Sequence, residues 1–373
     1  MKFRTFAASA PGSKYLAKGW NCQDSSGTLN FDGIQAAAVA DGHGSSNCFR
    51  SDIGAQLAIK TAFQQIKIFC ENRTDTFSDT GINNFKYKLV SEWRNAAHRD
   101  WSLHLDGGKN LGDGEIRYSS VSDKYKARFT SPDSRVVEKY LYTAYGTTLL
   151  CALSIGTQIL IFQIGDGTCV VLQQDGRFTT PVPADSENFL NVTTSLCDDK
   201  ANLKIRHVVL DTAPAAIFLS TDGLDDCYSY YQNEEYLYKF YADVVIDNMI
   251  NCGYHDTEKE IVESLLPGMT ARGSRDDISL AYLIVEDIEI LRAAFNKILP
   301  EYRPSSCQKI PAPETPVPVS KPEISLQKIT PVQGKGLPNY TFLPPVCKKI
   351  FHAGQVTVST TPQVIPAGEE KSK

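Results

Sequence analysis

Four aspartates in this chain stand where an apolar, strand-like run ends or begins. They are Asp41 in Val39-Ala40-Asp41-Gly42-His43-Gly44, Asp166 in Ile164-Gly165-Asp166-Gly167, Asp222 in Ser220-Thr221-Asp222-Gly223, and Asp276 in Ser274-Arg275-Asp276-Asp277. A glycine follows directly in the first three, so the backbone can turn sharply at the strand tip. One Asp-Gly is among the commonest turn dipeptides and says nothing about chemistry. Four acids at four strand tips say more, because carboxylate oxygens are the ligands that hard cations take. Without a cation, converging carboxylates are destabilised by like-charge repulsion. The chain has six histidines and no H-x-x-x-H pair, so oxygen-rich coordination points to Mg2+ or Mn2+ rather than zinc. Two such ions about 3.5–4 Å apart can share a hydroxide and polarise a phosphoryl group. His43, beside Asp41, is then a candidate general acid; protonating a departing alkoxide is worth about 10²–10⁴-fold in rate.

The elements that must position these acids follow from hydrophobic periodicity. Residues 1–8 and a polar-to-apolar run after Gln23-Asp24 predict an opening hairpin, and 33–40 (GIQAAAVA) predicts a buried strand that delivers Asp41. Helical spacing begins after Ser45 and runs to about Phe69, with a second helix over about 85–101. Residues 106–133 are rich in Gly, Ser, Asp and Lys without sustained period and predict an irregular insertion or a flap. A short helix over 134–144 precedes a hairpin of 149–155 with 158–164, a third strand over 169–172, a mostly looped 178–204, and strands over 205–210 and 216–219. Helices over 234–251 and 258–265, a loop over 267–274, a strand over 278–285 and a terminal helix over 288–299 complete the folded part. Hairpin-like strands with helices in two clumps predict a layered α+β sandwich rather than a doubly wound sheet.

The 373 residues suffice for one large domain. A net charge of -5 without a basic stripe argues against a nucleic-acid binder. No run of about 18 apolar residues marks a membrane span, and the N-terminus lacks a secretory leader. The ten cysteines contain no C-x-x-C pair and read as reduced thiols of a cytoplasmic protein. From residue 300 to 373 proline dominates, which predicts a linker or disordered tail beyond a folded domain of residues 1–299. An apolar island over 340–351 makes a partner-docking segment the alternative to an idle tail.

Taken in order, Gln23-Asp24, DGHG, Gly146-Thr147-Thr148, GDG, STDG and Ser-Arg-Asp-Asp resemble the protein phosphatase 2C family of metal-dependent Ser/Thr phosphatases over residues 1–290. Ser9, Gly12 and Cys22-Gln23-Asp24 are similar to a bacterial branch of that family, as is Asn191-Val192-Thr193. The resemblance implies a four-layer αββα sandwich of two antiparallel sheets flanked by helices, with the metal site at one end. It also implies ligands for two or three Mn2+ or Mg2+ ions, the first two held by Asp41 as a bridge, the Gly42 carbonyl, Asp222 and Asp276. Asp166 and Asp222 would hold the third, and Asp24 would act directly or through water. His43 matches the general acid. Three departures stand out. Gln23 replaces a common acid, Asp277 a frequent Asn, and Gly19 the phosphate-anchoring arginine, which leaves Lys18 and Lys14 as candidate phosphate anchors.

The implied activity is dephosphorylation of phosphoserine and phosphothreonine in proteins by a metal-bridged hydroxide, opposite a cognate Ser/Thr kinase. Two alternatives remain open at this stage. One is a pseudophosphatase that only binds phosphoproteins or a partner, favoured by the missing arginine and opposed by the intact aspartates. The other is a hydrolase of small phosphoesters.

Overall fold

The computed structural model describes residues 1–71, 77–104, 118–119, 121–156, 158–185, 193–228 and 233–303, all within one compact unit, Met1–Ala312. The expectations for 106–117, Asn191-Val192 and 304–373 fall outside the described residues. Ten strands make two five-stranded sheets. The strands are β1 (Phe3–Ala10), β2 (Ser25–Phe31), β3 (Ile34–Ala40), β4 (Leu149–Ile155), β5 (Gln158–Ile164), β6 (Thr168–Leu172), β7 (Phe178–Thr179), β8 (Arg206–Leu210), β9 (Ala216–Ser220) and β10 (Ile278–Val285). One sheet runs β1-β10-β9-β6-β7 and the other β2-β3-β4-β5-β8, with every pairing antiparallel. This is the α+β, four-layer αββα sandwich.

Period-two alternation explains the layers. In β3, Ala37 and Val39 face the other sheet, whereas Ala36, Ala38 and Ala40 join the core under the helices Ser51–Glu71 and Asp79–His104. The alanines let Ala55, Ala58 and Ala62 of the first helix approach closely. All eight residues of β10 are buried, between the second sheet and helical segments that span 233–272 and 288–295. Each large aliphatic side chain buried this way is worth about 1.5–3 kcal/mol relative to exposure.

Local reading went astray in three places. The first two strands do not pair with each other: β1 pairs along its length with β10, Phe3 opposite Val285 and Ala10 opposite Ile278, and β2 pairs with β3 in the other sheet. The region expected to lack regular structure carries helical turns at Asp123–Lys126 and Ala127–Thr130. Their apolar face is aromatic: the Phe129 ring lies 4.7 Å from Trp101, and Tyr118 lies 4.9 Å from Phe49. Residues expected as a loop around Pro267 form the helix Leu266–Arg272. It continues a π-helical turn at Ile261–Leu265, and Pro267 sits at the start of the new segment, where a missing N–H is tolerated.

Register brings the site's strand tips to one rim. Leu149 opposes Ile164, Thr168 opposes Ser220, and Leu280 opposes Ser220. The end of β5, the start of β6, the end of β9 and the start of β10 therefore lie together, and the Asp41 backbone joins them through Thr148. The chain crosses from one sheet to the other between β5 and β6 within residues 165–167. Gly165 makes this possible at φ +106°, a conformation other residues rarely adopt.

Candidate metal centre and active site

Asp41, Asp166 and Asp222 each offer a carboxylate oxygen, and these oxygens all lie within 4.8 Å of one another. The backbone that carries Asp41 and Asp166 is anchored from behind. The Asp41 N–H donates to Thr148 Oγ1 at 3.0 Å, and its carbonyl accepts from the Thr148 N–H and the Thr147 hydroxyl, both at 2.8 Å. The turn that carries Asp166 is fastened from three sides: Gly165 N–H donates to Thr194 Oγ1 at 3.1 Å, Gln163 Nε2 to the Gly165 carbonyl at 3.2 Å, and the Arg206 guanidinium to that same carbonyl. Asp222 opens the short helix Asp222–Asp225, directly after Thr221.

Burial and mutual repulsion push three of the site's acids upward, Asp41, Asp222 and Asp24. Burial, then Asp166, raises the Asp41 carboxyl to about 7; burial, then Asp41, raises Asp222 to about 9. Asp24 is held well above the carboxylate range by burial and by Asp41; it hydrogen-bonds Asp41, and its Oδ2 accepts from the Thr221 hydroxyl at 2.7 Å. Asp166 Oδ1 is shielded from solvent and has no hydrogen-bond partner. Three converging carboxylates, one with an unanswered buried oxygen, form an all-oxygen donor set that fits a divalent cation.

The other candidates are placed as follows. Gly42 is buried and bridges Thr147 across the base of the loop. His43 N–H donates to the Gly146 carbonyl at 3.0 Å, and the His43 carbonyl accepts from the Ser51 hydroxyl at 2.9 Å. His43 lines the cleft, and burial lowers its imidazole pKa, with Asp166 and Asp198 opposing. Asp276 lines the same cleft but stands outside the three-oxygen cluster, paired with the Lys14 ammonium. Lys18 is exposed, its Nζ 4.6 Å from the centroid of the half-buried Trp20 ring and 5.8 Å from that of Tyr15. Gly19 is exposed at φ +67° with open space where a side chain would begin, so this loop is not shaped to hold an arginine there. The cleft encloses about 1660 Å³ and runs from Tyr15, Asp41 and His43 past Asp222 to Asp225, Arg206 and the 180–184 segment.

Two residues escaped sequence reasoning. Asp277, which stands where the resemblance leads one to expect Asn, is buried and accepts the N–H of Gly12 at 2.6 Å and of Gln23 at 2.7 Å. It closes the 12–23 segment over the site. Replacing it by Asn leaves one N–H facing an amide nitrogen, and we expect a loss of about 1–3 kcal/mol, read as a lower urea midpoint with unchanged slope. The second is Tyr15, buried at the cleft wall. Tyr15 belongs to none of the motifs, and the motif that holds Asp277 did not reveal its partners.

Residues 11–265 match the family model for protein phosphatase 2C. Among curated proteins none matches the chain. Solved structures similar to it include the Mycobacterium tuberculosis serine/threonine phosphatase PstP/Ppp (15% identity, 77% of this chain and 100% of that one, TM-score 0.43). Another is PppA of Pseudomonas aeruginosa (17%, 76% and 98%, 0.43), and a third a C. elegans sex determining protein (10%, 79% and 68%, 0.48). With the family model spanning most of the folded region and the aspartate cluster in place, the chain belongs to the protein phosphatase 2C family of metal-dependent Ser/Thr phosphatases.

Proposed function

We propose that this cleft hydrolyses phosphoserine and phosphothreonine in protein substrates, using Mn2+ or Mg2+, two ions and a possible third. The observation that carries the reading is the Asp41–Asp166–Asp222 oxygen cluster, with its unanswered buried oxygen, inside a cleft that His43 also lines. Asp41, Asp222 and Asp166 would hold the ions, with Asp276, the Gly42 carbonyl and Asp24 as further candidate ligands. Divalent ions held there supply Lewis acidity, which acidifies water and offsets phosphoryl charge. His43 protonates the departing Ser or Thr oxygen. Lys14, already at Asp276, anchors the phosphate, and Lys18 lends positive charge farther out.

The catalytic domain comprises residues 1–299, with 106–133 as its insertion, and the proline-rich residues 300–373 form a linker-like tail, with a partner-docking role as its alternative. A phosphorylated protein must be supplied by a kinase, so a cognate Ser/Thr kinase is the expected counterpart. Among the described residues no helix is long and apolar enough to cross a membrane. Thiols such as Cys151 and Cys169 in the core support a cytoplasmic setting.

The substrate class is tested by comparing kcat/KM on a phosphothreonine peptide and on a small phosphoester such as glycerol phosphate. We expect the peptide to lead by at least about tenfold; the reverse order identifies a small-molecule hydrolase.

The raised carboxyls make a further prediction. A carboxyl whose folded pKa lies above its unfolded value of about 3.9 contributes stability that is full below that value and lost as pH rises through the folded pKa. For Asp41 at about 7 and Asp222 at about 9, the protein without divalent ions should melt progressively lower from about pH 4 to pH 9. Saturating Mn2+ should reverse this at pH 8. A ligand at about 100 times its Kd adds about 2.7 kcal/mol, several degrees in melting temperature. Thermal scans across pH, with and without Mn2+, measure both effects.

A further inference from the structure

The 12–23 segment folds back over the Asp276 end of the cleft and presents one side chain that the phosphatase reading leaves without a task. Tyr15 belongs to the helical turn Ser13–Leu16 and is 8% exposed, with its surface opening into the cleft beside Asp41, His43 and Gly44. Its ring is held on several sides. Trp20 stacks on it at 5.9 Å and 12°, and the Lys14 ammonium lies 4.7 Å from its centroid. Asp277 ties down both ends of the segment, and Lys14 N–H donates to the Arg275 carbonyl at 3.2 Å. The hydroxyl reaches the His43 loop so closely that a methyl group on Gly44 would overlap it. On its other side the hydroxyl donates toward the Asp276 carboxylate.

A buried phenol keeps its hydroxyl hydrogen-bonded, and in the open cleft that partner is Asp276, at the cleft wall where a bound anion would meet the same hydroxyl. Two other polar side chains of the cleft already have protein partners. The Ser45 hydroxyl is directed at Cys48 Sγ at 3.3 Å, and the Arg206 guanidinium, across the cleft, donates to the carbonyls of Gly165 and Pro183. A phenol stays protonated at working pH and can turn its one proton about the C–O bond. We propose that the Tyr15 hydroxyl binds a phosphoryl oxygen of the substrate and, with Lys14, does the anchoring that an arginine at Gly19 would otherwise do. This rests on the phosphatase reading for its ligand, a phosphomonoester dianion. A contact made alike to bound substrate and transition state acts on KM and leaves kcat.

The test is Tyr15→Phe, which keeps the ring and its stacking. Three quantities are read against wild type: kcat and KM on a phosphothreonine peptide, the rise in melting temperature that inorganic phosphate gives Mn2+-saturated protein, and Mn2+ affinity by calorimetry without phosphate. A hydrogen bond to a charged group is worth about ten- to a hundred-fold in binding. KM should therefore rise by about that factor with kcat within about threefold, the phosphate-induced rise should shrink, and Mn2+ affinity should hold. Unchanged KM and phosphate response overturns the proposal. So does a fall in Mn2+ affinity with the phosphate response intact at saturating Mn2+, which would mean that Tyr15 only braces Asp276. The phosphate and Mn2+ readings need no turnover, so they judge Tyr15 even if the wild type proves inactive on the peptide.

Discussion

Asp222→Asn should abolish turnover of a phosphothreonine peptide while leaving the fold intact or firmer. The carboxylate stands within 4.8 Å of oxygens from both Asp41 and Asp166, so it shares whatever cation they hold. Asn keeps the shape but removes a full negative charge and one of two acceptor oxygens. Even residues that merely orient ligands cost about 10–100-fold in metal affinity or activity, and a ligand itself should cost more than about a hundredfold. Stability should move the other way. Burial and Asp41 raise the Asp222 carboxyl to about 9, so at pH 8 the protein without divalent ions is burdened by it. The Asn variant should melt at the same temperature or higher under those conditions and gain less from Mn2+. A variant that loses activity and also melts lower would show that Asp222 serves the fold rather than a cation.

The second large effect is expected at His43. Its backbone is pinned by Gly146 and Ser51, so His43→Ala removes the imidazole without freeing the loop. If the ring protonates the leaving oxygen, the loss should depend on how badly that oxygen needs a proton. Serine and threonine leave as alkoxides and should slow by about 10²–10⁴-fold. p-Nitrophenyl phosphate, whose phenolate leaves unaided, should slow by less than about tenfold, since the acid's contribution is then absent. Equal losses on the two substrates would remove the proton-donor role and leave His43 as a wall of the cleft.

What could be read without coordinates follows the range of the interactions involved. Asp41, Asp166 and Asp222 announce themselves because strand tips are local features: an apolar run, an acid and a glycine. Their convergence was also legible in outline, since antiparallel layers share rims. The partner of β1 was not, because Phe3 meets Val285 across almost the whole folded chain and nothing near Phe3 records it. The role of Asp277 was hidden for the same reason: its two N–H donors, Gly12 and Gln23, come from the other end of the domain. Lys14 and Lys18 are indistinguishable by spacing, yet one reaches Asp276 and the other lies over Trp20. Tyr15 carries no motif at all. Only the fold-back of the 12–23 segment makes its hydroxyl part of the cleft.

The central claim is that this aspartate cluster holds divalent ions for phosphoester hydrolysis. Its most direct test is the rate of phosphate release from a phosphothreonine peptide by the purified full-length protein, with chelator and then with excess Mn2+. Release that stops with chelator, returns with Mn2+ and fails to return in Asp222→Asn is the predicted result. Release that persists through chelation, or no release from wild type while calorimetry shows Mn2+ bound, would contradict it.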